Sequence, residues 1–195
     1  MTDFDYLVEN ALRRLRDHGL PIAEATSHVS PVPGLYAIHA DETVWIELGL
    51  EWRGGLPLYV GKAEDSLVAR DIRTHFGAGR TGTSTIRRSF AALLREQLDL
   101  RGQPRNPENP GHFSNFGLPD ADDARLSTWM NEKLRISVWA KPETDTELVN
   151  VETAVIRAWE PPINIAKNPR KDVHLQAVRR AMADEARGWA SERGL

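Results

Sequence analysis

The chain has 195 residues, 41% hydrophobic and 27% charged, with a formal net charge of −3, which describes one domain long enough to bury its own core. Cysteine is absent, so disulfides, thiolate metal centres and a cysteine nucleophile are excluded, and any metal must be held by oxygen or imidazole. No apolar run approaches the roughly 18 residues of a membrane span, and Met1-Thr2-Asp3-Phe4-Asp5-Tyr6 lacks the basic-then-apolar order of a signal peptide, so a soluble, cytoplasmic chain without a membrane partner is expected.

Taken in order, Tyr6-Leu7, Ala11-Leu12 and Leu15 share one face of a helix that Gly19 and Pro21 end. Pro31-Val32-Pro33 interrupts the chain before Gly34-Leu35-Tyr36-Ala37-Ile38-His39, a β-rich run, and Thr43-Val44-Trp45-Ile46-Glu47-Leu48 reads as a second strand. A Gly54-Gly55 turn leads into Leu56-Pro57-Leu58-Tyr59-Val60-Gly61, a further strand, and a helix is expected from about Ser66 to Phe76. Beyond the loop 77–82, Thr83 or Ser84 caps a helix on which Ile86, Phe90, Leu93, Leu94 and Leu98 follow the 3.6-residue period. Pro, Asn and Gly make 102–120 a surface loop, after which Asp122 or Asp123 caps a short helix with Leu126, Trp129 and Met130 inward. Arg135-Ile136-Ser137-Val138-Trp139 alternates as a strand, a helix runs from about Thr146 to Trp159, and an amphipathic helix follows from Val173 to about Trp189.

The acidic balance of the whole chain hides a basic stretch. From Arg73 to Arg105 seven basic residues face two acidic ones, a local excess that suits a phosphate-bearing ligand or a solvated helix face. On the helix around 146–159, Glu152 falls near the centre of an arc made by Leu148, Val151, Val155, Ile156 and Trp159. A carboxylate there must be ion-paired, hydrogen-bonded or metal-bound, or must line a cleft.

Two tyrosines lie in short apolar strands, in Gly34-Leu35-Tyr36 and Tyr59-Val60-Gly61; alone they read as core phenols. Lys62 follows the second glycine directly, with Arg70 and His75 on the next helix and Glu152 beyond. Phenols, amine, guanidinium, imidazole and carboxylate together are the inventory of phosphodiester cleavage.

With Asn164 after the Pro161-Pro162 pair, these positions resemble the GIY-YIG nuclease superfamily, to which the excision-repair endonuclease of bacteria, phage homing endonucleases and some restriction enzymes belong. The resemblance spans roughly 32–165. It implies an α+β fold, a small antiparallel three-stranded sheet flanked by helices. Residues 1–31 would be a helical extension, 32–166 the core and 167–195 a C-terminal helix, all within a single domain. It implies a single divalent cation, Mg2+ or Mn2+, on Glu152 and hydrolysis of a nucleic-acid strand, with DNA expected. Tyr36 would position or deprotonate the attacking water with Tyr59 beside it. Arg70 would stabilise the phosphate, with Arg73 as its rival for that role. His75 would serve as a base or leaving-group contact, Lys62 would touch phosphate, and Asn164 would brace the site. Outside the motif, Arg87 and Arg88 open a helix suited to seat phosphate. Tyr36, Tyr59, Arg70 and Glu152 are expected to converge on one open cleft. The alternative is a non-catalytic module that keeps the fold and uses the basic stretch to hold nucleic acid or a protein; a protein partner or a homodimer stays open.

Overall fold

The computed structural model describes residues 2–17, 19–28, 31–67, 77 and 79–194. The expected helix 66–76, with Arg70, Arg73 and His75, lies almost wholly outside the described residues.

Helix α1 (Asp3–Leu15) starts on a reciprocal cap, in which Thr2 Oγ1 accepts from the Asp5 amide and Asp5 Oδ2 accepts from the Thr2 amide. Its buried face is Leu7, Ala11 and Leu15, one residue per turn. Strand β1 (Leu20–Pro21) and helix α2 (Ile22–His28) follow, then strand β2 (Gly34–His39). The run Thr43–Leu48 is not a strand. It lies within and just after helix α3 (Glu42–Glu47), because Asp41 Oδ1 accepts from the Val44 amide at 3.0 Å and the buried positions Val44, Trp45 and Leu48 have helical spacing. The cap and the burial period outweigh the β-branched composition. Strand β3 (Tyr59–Ala63) then pairs directly with β2.

Beyond residue 79 the described elements are α4 (Thr85–Leu93), capped by Ser84 Oγ, α5 (Asp120–Lys133), strand β4 (Arg135–Ala140), α6 (Leu148–Trp159) and α7 (Val173–Glu192). Asp122 and Asp123 do not cap α5, which begins after Pro119 without a side-chain cap; both carboxylates reach back to earlier loops instead. Segment 102–120 is less of a surface loop than its composition suggests. Gln103 and Gly117 exchange two backbone hydrogen bonds, and Phe116 and Leu118 are buried.

The sheet has four antiparallel strands in the order β1-β4-β2-β3, one more than expected, because Leu20–Pro21 pairs with Arg135–Ile136. Alternation along the strands divides the core. Leu35, Ala37, Val60 and Trp139 pack against α1 and α6, whereas Tyr36, Ile38 and Ile136 pack with α3, α4 and α5 on the other face. Between the layers, His39 Nε2 and Ser137 Oγ both donate to the Leu15 carbonyl, at 2.9 and 2.8 Å, so the last turn of α1 is tied to the sheet. No helix among the described residues is long and apolar enough to cross a membrane.

Candidate functional site

The two tripeptides meet across the central strand pair. Tyr36 is the register partner of Gly61, and Gly34 that of Ala63. A Cβ on Gly61 would overlap the ring and hydroxyl of Tyr36, and one on Gly34 would overlap the Trp139 carbonyl. The glycines are thus required by close approach, not by a turn. Tyr36 lies over Gly61 with its ring centroid 6.0 Å from that of Tyr59, the planes inclined at 42°. Tyr36 is only 2% exposed, while Tyr59 is half-buried.

β3 is an edge strand, and Asn164 closes that edge. Its Oδ1 accepts from the Val60 amide and its Nδ2 donates to the Val60 carbonyl, both at 2.8 Å, imitating a neighbouring strand. The Ile163 amide adds a bond to the Leu58 carbonyl at 3.0 Å. Three residues beyond Asn164, Lys167 has φ +63° and sends its ammonium onto Glu152 Oε2. Glu152 is 8% exposed, so the carboxylate in the apolar arc of α6 has a cation partner.

Tyr36 and the apolar neighbours of Glu152 belong to different core layers. Tyr36 belongs to the layer beneath α4 and α5, and the residues around Glu152 on α6 belong to the opposite layer with Leu35 and Val60. The expected convergence of Tyr36, Tyr59, Arg70 and Glu152 includes Arg70, which lies outside the described residues. Lys62 follows Val60 by two positions, hence projects to the α6 side, and is paired with Glu64.

Arg87 and Arg88, adjacent in sequence, have separate fates. Arg87 is fully buried, paired with Asp123 at 2.8 Å, and donates to Ser127 Oγ at 2.8 Å and Thr81 Oγ1 at 3.2 Å. Burial lowers its affinity for its proton, and the Asp123 charge opposes that shift. The expected phosphate contact by Arg87 is therefore replaced by a core ion pair. Arg88, 6% exposed, donates to the Gly82 carbonyl at 2.9 Å and to Thr85 Oγ1 at 3.2 Å, with no carboxylate partner among the described residues.

Sequence reasoning missed Lys167 and Arg179. Lys167 was findable, since a buried carboxylate demands a cation and Lys167 follows the proline pair closely. Arg179, on α7, donates to Ser89 Oγ at 3.0 Å and lies within electrostatic reach of the Tyr59 phenol. Nothing in its local pattern distinguishes it from the other basic residues of that helix.

The described residues contain no cluster of three His, Asp or Glu side chains able to hold a metal. A magnesium-type ion needs only one or two carboxylates, since it keeps several of its waters, and the Lys167 ammonium on Glu152 Oε2 marks a place where positive charge is accepted. Glu152 fits such an ion as a single protein ligand.

The family model of the GIY-YIG catalytic domain matches residues 49–181, more than half of the chain, and the chain belongs to that family. The match takes in Tyr59, Lys62, Glu152, Asn164 and Arg179 and begins after Gly34–Tyr36. Members of the family are generally endonucleases. No curated protein and no solved structure matches the chain.

Proposed function

We propose that the chain is a metal-dependent endonuclease that hydrolyses phosphodiester bonds in nucleic acid, with DNA as substrate. The observation that carries this reading is the edge of β3. The strand that presents Tyr59 is bordered by the segment whose Lys167 holds Glu152, a carboxylate that packing alone would not place in the apolar arc of α6. Tyr59, the more exposed phenol, would orient the attacking water, and Tyr36 would back it through ring contact. Glu152 would hold Mg2+ or Mn2+, whose chemistry when bound is Lewis-acid stabilisation of charge on phosphoryl oxygen. Arg70 or Arg73, with His75, would act on the phosphate and the leaving group. Lys62 and Arg88 would contact the substrate strand, and Asn164 would keep β3 in place.

The test is incubation of the purified chain with labelled single- and double-stranded DNA and RNA in Mg2+, Mn2+ or chelator. Metal-dependent cleavage of DNA is expected, falling at least about 100-fold in Glu152→Gln and in Tyr59→Phe while both variants stay folded by urea melt. Salt-dependent binding without cleavage of any of the four substrates would make the chain a binding module. Undiminished cleavage by Glu152→Gln would remove Glu152 from the chemistry.

A further inference from the structure

Ion pairs occupy most of the basic residues near α4. Arg87 has Asp123, Arg95 has Glu185, Arg101 has Asp99, Arg125 has Asp122 and Arg187 has Asp184. Three arginines break this pattern. Arg88 reaches only the oxygens of Thr81, Gly82 and Thr85, and its Nε is buried without a partner. Arg179 comes from α7 to the same turn, donating to the Thr85 carbonyl at 3.4 Å and to Ser89 Oγ. Arg105 lays its aliphatic stem on Gly82, where a Cβ would come within 2.6 Å of its Cγ. Among the described residues none of the three has a carboxylate partner. A core that supplies a carboxylate to Arg87 and none to its neighbour leaves positive charge for something outside the chain.

We propose that Arg88, Arg105 and Arg179 form a seat for a backbone phosphate of the nucleic-acid strand, on the tyrosine face of the sheet and next to Tyr59. The seat rests on the reading of nucleic acid as substrate and adds to it a contact from the C-terminal helix. Arg105 borders a cavity of about 300 Å3 with Thr81, Gly82, Asp120 and Asp123, and Arg179 borders one of about 360 Å3 with Gln176, Asp184 and Arg187; Asp123 and Asp184 are already paired, with Arg87 and Arg187. The charges act on one another. Burial, then the charges of Arg179 and Arg105, bring the Arg88 pKa down to about 10, the condition a bound phosphate relieves. Burial likewise lowers the affinity of Arg179 for its proton, and the Tyr59 phenol opposes that shift.

The test measures binding of a fluorescent single-stranded DNA oligonucleotide by anisotropy across a salt series in Ca2+, using the full chain and its Arg105→Ala and Arg179→Met variants, each with a urea melt. Arg105 is exposed and Arg179 half-buried, and methionine keeps the aliphatic stem of Arg179, so both variants should fold. Each is expected to bind several-fold more weakly, with the slope of log affinity against log salt reduced by about 0.7, the value for one lost single-strand phosphate contact. Urea midpoints should hold or rise, because a repelling charge has been removed. An unchanged slope in both variants overturns the seat, whatever the cleavage assay gives. A reduced slope in a chain that cleaves nothing keeps the seat and defeats only the endonuclease reading.

Discussion

Replacing Asp123 by Asn tests whether Arg87 belongs to the core. The guanidinium is fully buried, and Asp123 is its only carboxylate partner among the described residues, at 2.8 Å. Removing one member of a buried pair costs about 3–5 kcal/mol, because the remaining charge loses its counter-ion without gaining water. Asn keeps the shape, and Ser127 Oγ and Thr81 Oγ1 remain within hydrogen-bonding distance of Arg87, which places the expected loss near the lower end, about 3 kcal/mol. Urea denaturation of the wild type, Asp123→Asn, Arg87→Met and the double variant closes a cycle whose coupling energy should exceed about 1 kcal/mol; the exposed Arg187–Asp184 pair, taken as control, should give about 0.5 kcal/mol or less. A loss below about 1 kcal/mol in Asp123→Asn, or a fall in DNA affinity of Arg87→Met at unchanged stability, would refute the core assignment.

Gly61→Ala forces a methyl into the Tyr36 ring; a loss of about 1–3 kcal/mol is expected in thermal or urea melts, and a neutral result would show that Tyr36 can move aside freely. Asp41 holds its carboxyl below the ordinary value of 3.8, first through the Thr43 hydroxyl and then through the Val44 amide. A carboxylate with a lowered folded value contributes stability that is present above the unfolded value and disappears as pH falls through the folded one. The stability gap between wild type and Asp41→Asn, a few tenths of a kcal/mol for so exposed a group, should therefore close as pH falls below the ordinary carboxylate value; a gap that ignores pH rejects the argument.

The legible parts of the chain were those in which one local signal dominated. Helical spacing of Leu7, Ala11 and Leu15, of Ile86 and Phe90, and of Val151 and Val155 sets the helix faces, and each of these residues is buried. Thr43–Leu48 misled because its Thr, Val, Trp and Ile favour strands, while the deciding residue, Asp41, stands just before the run. Leu20–Pro21 could not be read as a strand at all, since two residues carry no alternation and pair only because β4 offers a free side. The site divides similarly. The two tripeptides and the carboxylate were visible as types in order, and the span of the family match, 49–181, includes Tyr59, Glu152 and Asn164. The core layer to which each one's neighbours belong was not visible, because that depends on which sides of the sheet α4 and α6 cover. Adjacent Arg87 and Arg88 show the same limit: a helical rotation of about 100° separates an internal pair with Asp123 from a cation with no carboxylate among the described residues.

Asn164 is what keeps the edge of β3 in order. Truncating Asn164 to Ala removes both partners of the Val60 amide and carbonyl, and Val60 is fully buried, so water does not replace them without local opening. Two unsatisfied groups at about 1–3 kcal/mol each make a loss of about 2–4 kcal/mol the expectation, after allowance for some relaxation. The loss should be local. Among the described residues the segment from Pro161 to Asn168 then keeps the Ile163 amide bond to Leu58, just before that strand, so Lys167 is released from Glu152 while the α1–α6 layer stays packed. Hydrogen exchange followed by mass spectrometry should then show faster exchange in 58–63 and 161–168 and unchanged protection in α1 and β4. Uniformly faster exchange across the chain would make Asn164 a part of global stability instead, and unchanged exchange at Val60 would show that the edge is held by something other than its side chain.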